Sequence, residues 1–289
     1  MQLRRATPAI VLGLMALVPV PTGQSDTARY RFEINTESVT DLTDLGQGEM
    51  TSTVTMDGVL SVTLGEVGEG GSRTATVVLD TIGGSSSGQG QQITPKMLAD
   101  LQGTTWHGTM NDKGRLTDLV AEHKSQGASQ LEGNLLRGLF PFIKAGAAAG
   151  DTWTDTLKYS HSEYTMKYDT TADSATGVVD SVLVDSVFTS SQETTTDIQY
   201  TAAGDTTYQG TQAQRVEAVI NSTTAIYQEA QGFDIEGTST GAGVSFIGPD
   251  GRYLGGTRDV ETELEVSGAQ LPAVIPVTAT TTLKVELLP

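Results

Sequence analysis

Few side chains in this 289-residue sequence have the type and spacing that chemistry demands. The stretch Gly84–Gly88, GSSSG, puts Ser86 in the nucleophile position of a G-x-S-x-G motif. That motif works on a tight strand-to-helix turn, with an acid and then a histidine following in the chain. Here the surroundings, GGSSSGQGQQ over 83–92, read as a flexible loop, and no alternation of strands and helices builds the required sheet. The three histidines, His107, His123 and His161, share no ligand-type spacing. His107 follows Trp106 on an expected strand and should point away from it, His123 lies in the charged AEHK, and His161 lies in SHSEY. Carboxylates such as Glu261, Glu263 and Glu265 fall on the wet face of a strand, where nothing raises a carboxyl pKa into the range of acid catalysis. The expectation is a protein without catalytic residues, cofactor or metal.

The segment AGAAAGDTWTDTLKYS, residues 145–160, invites a phosphate-loop reading through Gly146 and Gly150. That motif needs four residues between the glycines and a lysine after the second, whereas three intervene here and Asp151 follows. The segment reads instead as a seam. Gly150–Asp151 turns the chain, and Trp153 opens a strand on which Trp153, Asp155, Leu157 and Tyr159 share one face, with Asp155 at the strand's wet start.

Aromatic residues carry a mild functional hint. All but one of the eight tyrosines follow residue 150. Trp153, Tyr159, Tyr200, Tyr227 and Phe246 are candidates for lining an apolar ligand site, although cross-strand aromatic packing would call for the same residues.

The elements that position these residues are mostly strands. RDVETELEV alternates Val260, Thr262, Leu264 and Val266 against Asp259, Glu261, Glu263 and Glu265. MTSTVTM and the terminal TATTTLKVELL alternate likewise. Long strands are expected over 212–229 and 251–266. MNDKGRL (110–116) and IGPDGRY (247–253) suggest hairpin turns with glycine at the positive-φ position. Thr94 as N-cap, Pro95 at the first helical position and Gly103 past the end delimit one helix. A second places Leu131, Leu135, Leu136, Leu139 and Phe140 on one face until Pro141 stops it. The fold class expected is mainly β, with antiparallel, curved, half-barrel-like sheets and two or three short helices. The chain divides into a signal peptide (1–25), a first β-rich unit ending in a connector helix (26–145) and a second β-rich unit (146–289).

Composition narrows the function classes. Thirty-five acids against 17 bases give a formal charge of −18, which repels nucleic acid and anionic membrane surfaces. Cysteine is absent, so disulfides, thiol catalysis and a lipid-modified cysteine anchor are excluded. Arg4 and Arg5 precede the apolar AIVLGLMALV, which is of signal-peptide length and too short to span a bilayer; cleavage after Gly23 or after Ser25 fits equally. An exported protein is expected, periplasmic, cell-surface or extracellular, with no integral membrane segment after cleavage.

With its export signal, helix-interrupted β meanders, D-x-G-R-type hairpin and the P…GDTWTD step into a second β unit, the chain resembles a group of exported bacterial β-rich proteins. Some of these are similar to the periplasmic lipoprotein carriers, with a curved sheet over helices. The resemblance implies that fold and an exported location, and carries no functional residue across. Two roles are expected from these readings together. The first is binding of a lipid-like, apolar or amphipathic ligand on a concave sheet face. The alternative is a structural or adhesive envelope protein acting through protein contacts.

Overall fold

The computed structural model describes residues 26–88, 92–123, 125–172, 179–229 and 232–289. The expected signal peptide, residues 1–25, lies outside the described residues, as do 89–91 of the expected loop. Eleven strands form one antiparallel sheet. They are β1 (Asp26–Asp41), β2 (Glu49–Val67), β3 (Arg73–Gly88), β4 (Thr105–Met110), β5 (Leu116–Ala121), β6 (Thr152–Ala172), β7 (Val179–Tyr208), β8 (Thr211–Gln228), β9 (Phe233–Ile247), β10 (Tyr253–Gly268) and β11 (Ile275–Leu287). Their order across the sheet is β5-β4-β3-β2-β1-β11-β10-β9-β8-β7-β6. Each half of the chain is therefore a meander. The two meanders join where the first strand pairs with the last, from Tyr30 opposite Leu287 to Thr40 opposite Val277.

Period-two patterning decides which face each strand buries. Tyr30 and Phe32 of β1, Leu60 and Val62 of β2, Val77 and Leu79 of β3, Tyr200 of β7 and Val285 of β11 all point to one side. The helical segment covers them. It comprises α1 (Pro95–Leu101), α2 (Gln126–Leu131) and α3 (Arg137–Leu139), with a single π-helical stretch, Glu132–Leu136, between the last two. The Thr94 hydroxyl accepts from the Met97 amide as the expected N-cap, and Gly103 adopts φ 81°. Leu131, Leu135, Leu136, Leu139 and Phe140 form the buried helical face expected from their spacing. Phe140 packs edge-on against Tyr30 and Tyr253.

One expectation is corrected. Gly83–Gly88 is not a loop but the end of β3, paired residue by residue with Met56 back to Ser52, apart from a continuation at Asp57 opposite Gly83. Ser86 accepts a hydrogen bond from the Ile93 amide at 2.9 Å and stands on a strand, not on a nucleophile turn.

A flat sheet of eleven strands would be about 48 Å wide, from the usual strand spacing of about 4.8 Å. Yet Arg115, just before edge strand β5, reaches Asp155 of the opposite edge strand β6, with Nη2 2.8 Å and Nε 2.9 Å from Oδ2. The sheet must curl round the helical segment for its edges to meet. Arg115 is 3% exposed and also donates to the Phe140 carbonyl and the Tyr200 hydroxyl. Its position follows from the 110–116 turn, where Asn111 Oδ1 accepts from the Lys113 and Arg115 amides and Gly114 takes φ 75°. Asp155 is thus no wet strand start, as alternation alone suggests, but the partner of a buried guanidinium.

Removing one member of a buried ion pair leaves the other uncompensated, at a cost of about 3–5 kcal/mol. Arg115→Met and Asp155→Ala should each lower stability by that order in denaturant titrations. The double variant Arg115→Met/Asp155→Leu should recover a substantial part of the loss. A pair of single variants as stable as the parent would disprove the clamp. Burial pushes the Tyr30 phenol up to about 12 and raises that of Tyr253 as well. A phenol raised in the folded state stabilises below its ordinary pKa of about 10, and that contribution is lost as pH rises through the folded value. Stability should therefore fall between pH 10 and 12, and Tyr30→Phe should flatten the fall.

Candidate functional site

The candidate aromatic residues do not assemble into one site. Trp153 and Tyr200 lie on the helix-covered face, opposite one another in register, with rings stacked at 5.6 Å and 16°. The Trp153 indole N–H donates to the Phe142 carbonyl at 3.0 Å, and the Phe142 ring meets both Trp153 and Tyr200 edge-on. This cluster anchors the seam read from residues 145–160. Gly150 adopts φ 89° and its amide bonds the Ala202 carbonyl, while the Asp151 carboxylate accepts from the Ala148 amide and pairs with Lys144. The Ala148 amide, followed by Lys144, holds the Asp151 carboxyl below its ordinary range.

Tyr159 also faces the helices. Its ring lies under Gly133 in the π-helical stretch, where an added Cβ would come within 2.6 Å of the ring. Arg137 stands 5.3 Å from the same ring. Tyr227 and Phe246, by contrast, lie on the other face. Tyr227 is 40% exposed, and Phe246 stacks at 4.1 Å on Tyr208 from the tip of the β7–β8 hairpin. A single site built from all five residues is thereby excluded.

The inner face itself falls into two regions. Near the β1 start and the β11 end, the helices fill it. Beneath Leu139 the space bounded by Tyr200, Tyr253, Gly243, Gly256 and Arg258 admits about one water, roughly 10 Å³. Beyond Val260 the sheet continues, but the buried core does not. Three registered rows cross the strands there. The first is Thr196–Ser222–Ser239–Thr262–Ala279–Ser38–Ser52. The second is Thr194–Thr224–Gly237–Leu264–Val277–Thr40–Met50. The third is Ile226–Ile235–Val266–Ile275. All the apolar members are half-buried, and none belongs to the core cluster or to the residues packed against it.

The hydroxyls in these rows satisfy one another across strands. Thr196 meets Ser222 at 2.9 Å, Ser239 meets Thr262 at 2.9 Å, and Ser38 meets Ser52 at 2.8 Å. A hydroxyl that already has a partner is less costly to cover with an apolar group than a free one. Low relief adds to this. Gly237 and Gly241 carry no side chain, and Leu264 and Val260 of β10 lean over them. The result is a shallow apolar floor crossed by one belt of paired hydroxyls, bordered by Tyr159, which stands opposite Thr194. Sequence alternation identifies some of the members, such as Thr262, Leu264 and Val266 of RDVETELEV. Their alignment into rows depended on register, which no single strand contains.

The opposite face carries the acids: Glu193, Asp197, Glu217, Glu236, Glu261 and Glu263 all alternate outward. A groove of about 650 Å³ runs mainly over outward-facing Thr195, Thr223, Thr238 and Thr278, flanked by Glu193, Glu236, Glu263 and Glu265, and is bordered as well by Thr224, Gly237, Leu264 and Val277 of the second row. Among the described residues no group of three His, Asp or Glu side chains is placed to hold a metal ion. His107 points away from the buried Trp106, as expected, and pairs at the surface with Glu122 at 2.8 Å.

No protein-family model matches the chain, and no curated protein matches it. Solved structures with similarity are Pseudomonas aeruginosa OccK5 (OpdH), OpdQ and OccK7 (OpdD). Their identities are 6%, 11% and 9%, with TM-scores of 0.28, 0.26 and 0.24. The matches cover 91%, 91% and 93% of this chain and 99% of each of the others. At such scores the likeness carries no argument about architecture or role.

Trp153 links β6, the Phe142 carbonyl and Tyr200, so Trp153→Ala should cost about 3 kcal/mol, the lower end for removal of a large aromatic side chain. Tyr227→Ala, on the open face, should cost under about 0.5 kcal/mol. Thermal melts of the two variants compared with the parent check this contrast, and equal melting points would refute the anchoring role.

Proposed function

We propose that this protein is a non-enzymatic, exported binding protein that holds an apolar or amphipathic, lipid-like molecule on the inner face of its curled sheet. The uncovered floor carries the reading. Leu264, Val277, Ile226, Ile235, Val266 and Ile275 form a contiguous apolar surface on the side that the sheet encloses, and among the described residues none of them belongs to the core cluster or packs against it. Apolar surface left open in this way is a binding feature more often than a structural one. The belt of paired hydroxyls suits a ligand with polar linkages as well as hydrocarbon.

The same two faces argue against lipid contact on the outside of the sheet. A membrane barrel turns apolar residues outward, whereas the outward residues here include Glu217, Glu261 and Glu263 at mid-strand. The ligand is therefore expected to come to the protein's interior face, as it would for a carrier working in water outside the cytoplasm.

The test is titration of the purified protein with the uncharged dye Nile red, together with native mass spectrometry for co-purified amphiphile. Saturable binding near one dye per chain is expected. Leu264→Glu, a change at a half-buried position outside the core, should weaken it at least tenfold while leaving the thermal melt within a few degrees of the parent. Absence of dye binding to the parent, with no amphiphile co-purified, would overturn the reading.

A further inference from the structure

We infer that the ligand is an anionic amphiphile whose acidic headgroup pairs with Arg258, an inference that rests on the binding reading above and assigns its headgroup class. Arg258 stands on the inner face of β10 in the row Ala218–Gly243–Arg258–Leu283–Ile34–Met56. One row further along, Val260 begins the way to the uncovered floor. Arg258 thus stands within the covered end of the inner face, separated from the open apolar surface by the single row that holds Ile198, Ile220 and Val260.

Its surroundings leave its charge uncompensated. The guanidinium donates to the Gly138 carbonyl at 2.7 Å, at the end of α3. No ion pair joins it to a carboxylate among the described residues. The ionisable groups that act on it are Tyr253, Tyr200 and Arg115, and none of these is a carboxylate. Arg115 has its own carboxylate in Asp155. Arg258 is half-buried, and a partly desolvated cation without a counter-ion carries a cost that an anionic partner would relieve.

The rest of the inner face supports an anion here. Its open rows carry hydroxyls, glycines and aliphatic side chains, and the carboxylates of the same strands point outward. Tyr253, Tyr200, Ser245 and Arg258 border one water-sized gap, so polar side chains line the space beside Arg258. Gly243 and Gly256 form its floor without side chains. A carboxylate or phosphate monoester oxygen entering there meets a guanidinium in a setting of low dielectric, where a charge-assisted hydrogen bond is strongest. The hydrocarbon then extends past Val260 over Leu264 towards Ile235 and Val266. The surface of the molecule as a whole repels anions, with a formal charge of −18. A free small anion gains nothing from the floor, so an acyl chain is what makes the charged head worth burying.

The experiment compares one chain length with different heads. Dodecanoate, dodecyl phosphate, uncharged monododecanoylglycerol and dodecyltrimethylammonium, each below its micelle concentration, are titrated calorimetrically into the purified protein, with acetate and inorganic phosphate as chainless controls. The anionic amphiphiles should bind at least tenfold more tightly than the uncharged one, the cationic one most weakly, and the chainless anions not measurably. Arg258→Gln should bring charged and uncharged affinities within about twofold of each other while leaving uncharged binding unchanged. Arg258→Lys should retain part of the preference. Equal affinity of the parent for charged and uncharged heads would overturn the headgroup assignment and leave the apolar-ligand reading standing. A preference that survives Arg258→Gln would overturn it as well, and tight binding of inorganic phosphate or acetate alone would assign the niche to a free anion instead. Failure of every amphiphile to bind would fall on the apolar-ligand reading itself. The ordering of heads in the parent decides the matter even if the glutamine variant does not fold.

Discussion

The Arg115–Asp155 pair fixes the shape on which everything else depends. Ten backbone ladders join the eleven strands in series, but among the described residues none joins β5 to β6, and the twist that curls a sheet this wide does not by itself lock its two edges together. One guanidinium does so by satisfying three acceptors from three different parts of the chain: Asp155, the Phe140 carbonyl and the Tyr200 hydroxyl. The bond to Phe140 matters as much as the ion pair, because it ties the helix end to the point of closure. The curl and the covering of one end of the inner face are consequently a single event. A sheet held curled at one end only is filled there and open at the other.

Much of this architecture was legible in the sequence because its causes are local. Period-two alternation identified the strands, including RDVETELEV, whose Val260, Thr262, Leu264 and Val266 do face inward. Thr94, Pro95 and Gly103 delimited a helix because N-caps and positive-φ glycines act within a few residues. What could not be read has a non-local cause. Asp155 breaks the apolar face of β6, and its reason for doing so lies forty positions earlier in Arg115. GSSSG reads as a loop by composition, yet Met56 and its neighbours supply a ladder partner that overrides local preference. The aromatic set failed for a different reason. Ile226 and Tyr227 are adjacent, so one of them must face outward, and only the partner strands decide that Ile226 turns in.

The division of the inner face also explains the composition. A protein of modest hydrophobic content, 37%, cannot fill the inside of an eleven-stranded curl from end to end. It concentrates its large apolar side chains under the helices, where Trp106, Phe32, Leu79 and Leu136 are fully buried. The remaining strand length is maintained by threonine and serine, which suit the pleated backbone and pair their hydroxyls across strands. The threonine content is thus a structural solution for a face that is enclosed but not packed.

Charge follows the same partition. Alternation places Glu193, Asp197, Glu217, Asp234, Glu236, Asp259, Glu261, Glu263 and Glu265 outward, and this keeps long exposed strands hydrated and discourages edge-to-edge association. The inner face thereby loses its negative charge without any selection for ligand binding as such, since a buried or half-buried carboxylate would be costly there. Against that background a cation inside needs a separate reason. Arg115 has one, because it closes the sheet. Among the described residues Arg258 donates one side-chain hydrogen bond, to the Gly138 carbonyl, and desolvation holds its pKa below the ordinary value. A methionine or leucine in its place would fill the same volume at lower electrostatic cost. What the arginine adds over such a residue is a positive charge one core row away from the apolar floor, without a carboxylate partner among the described residues.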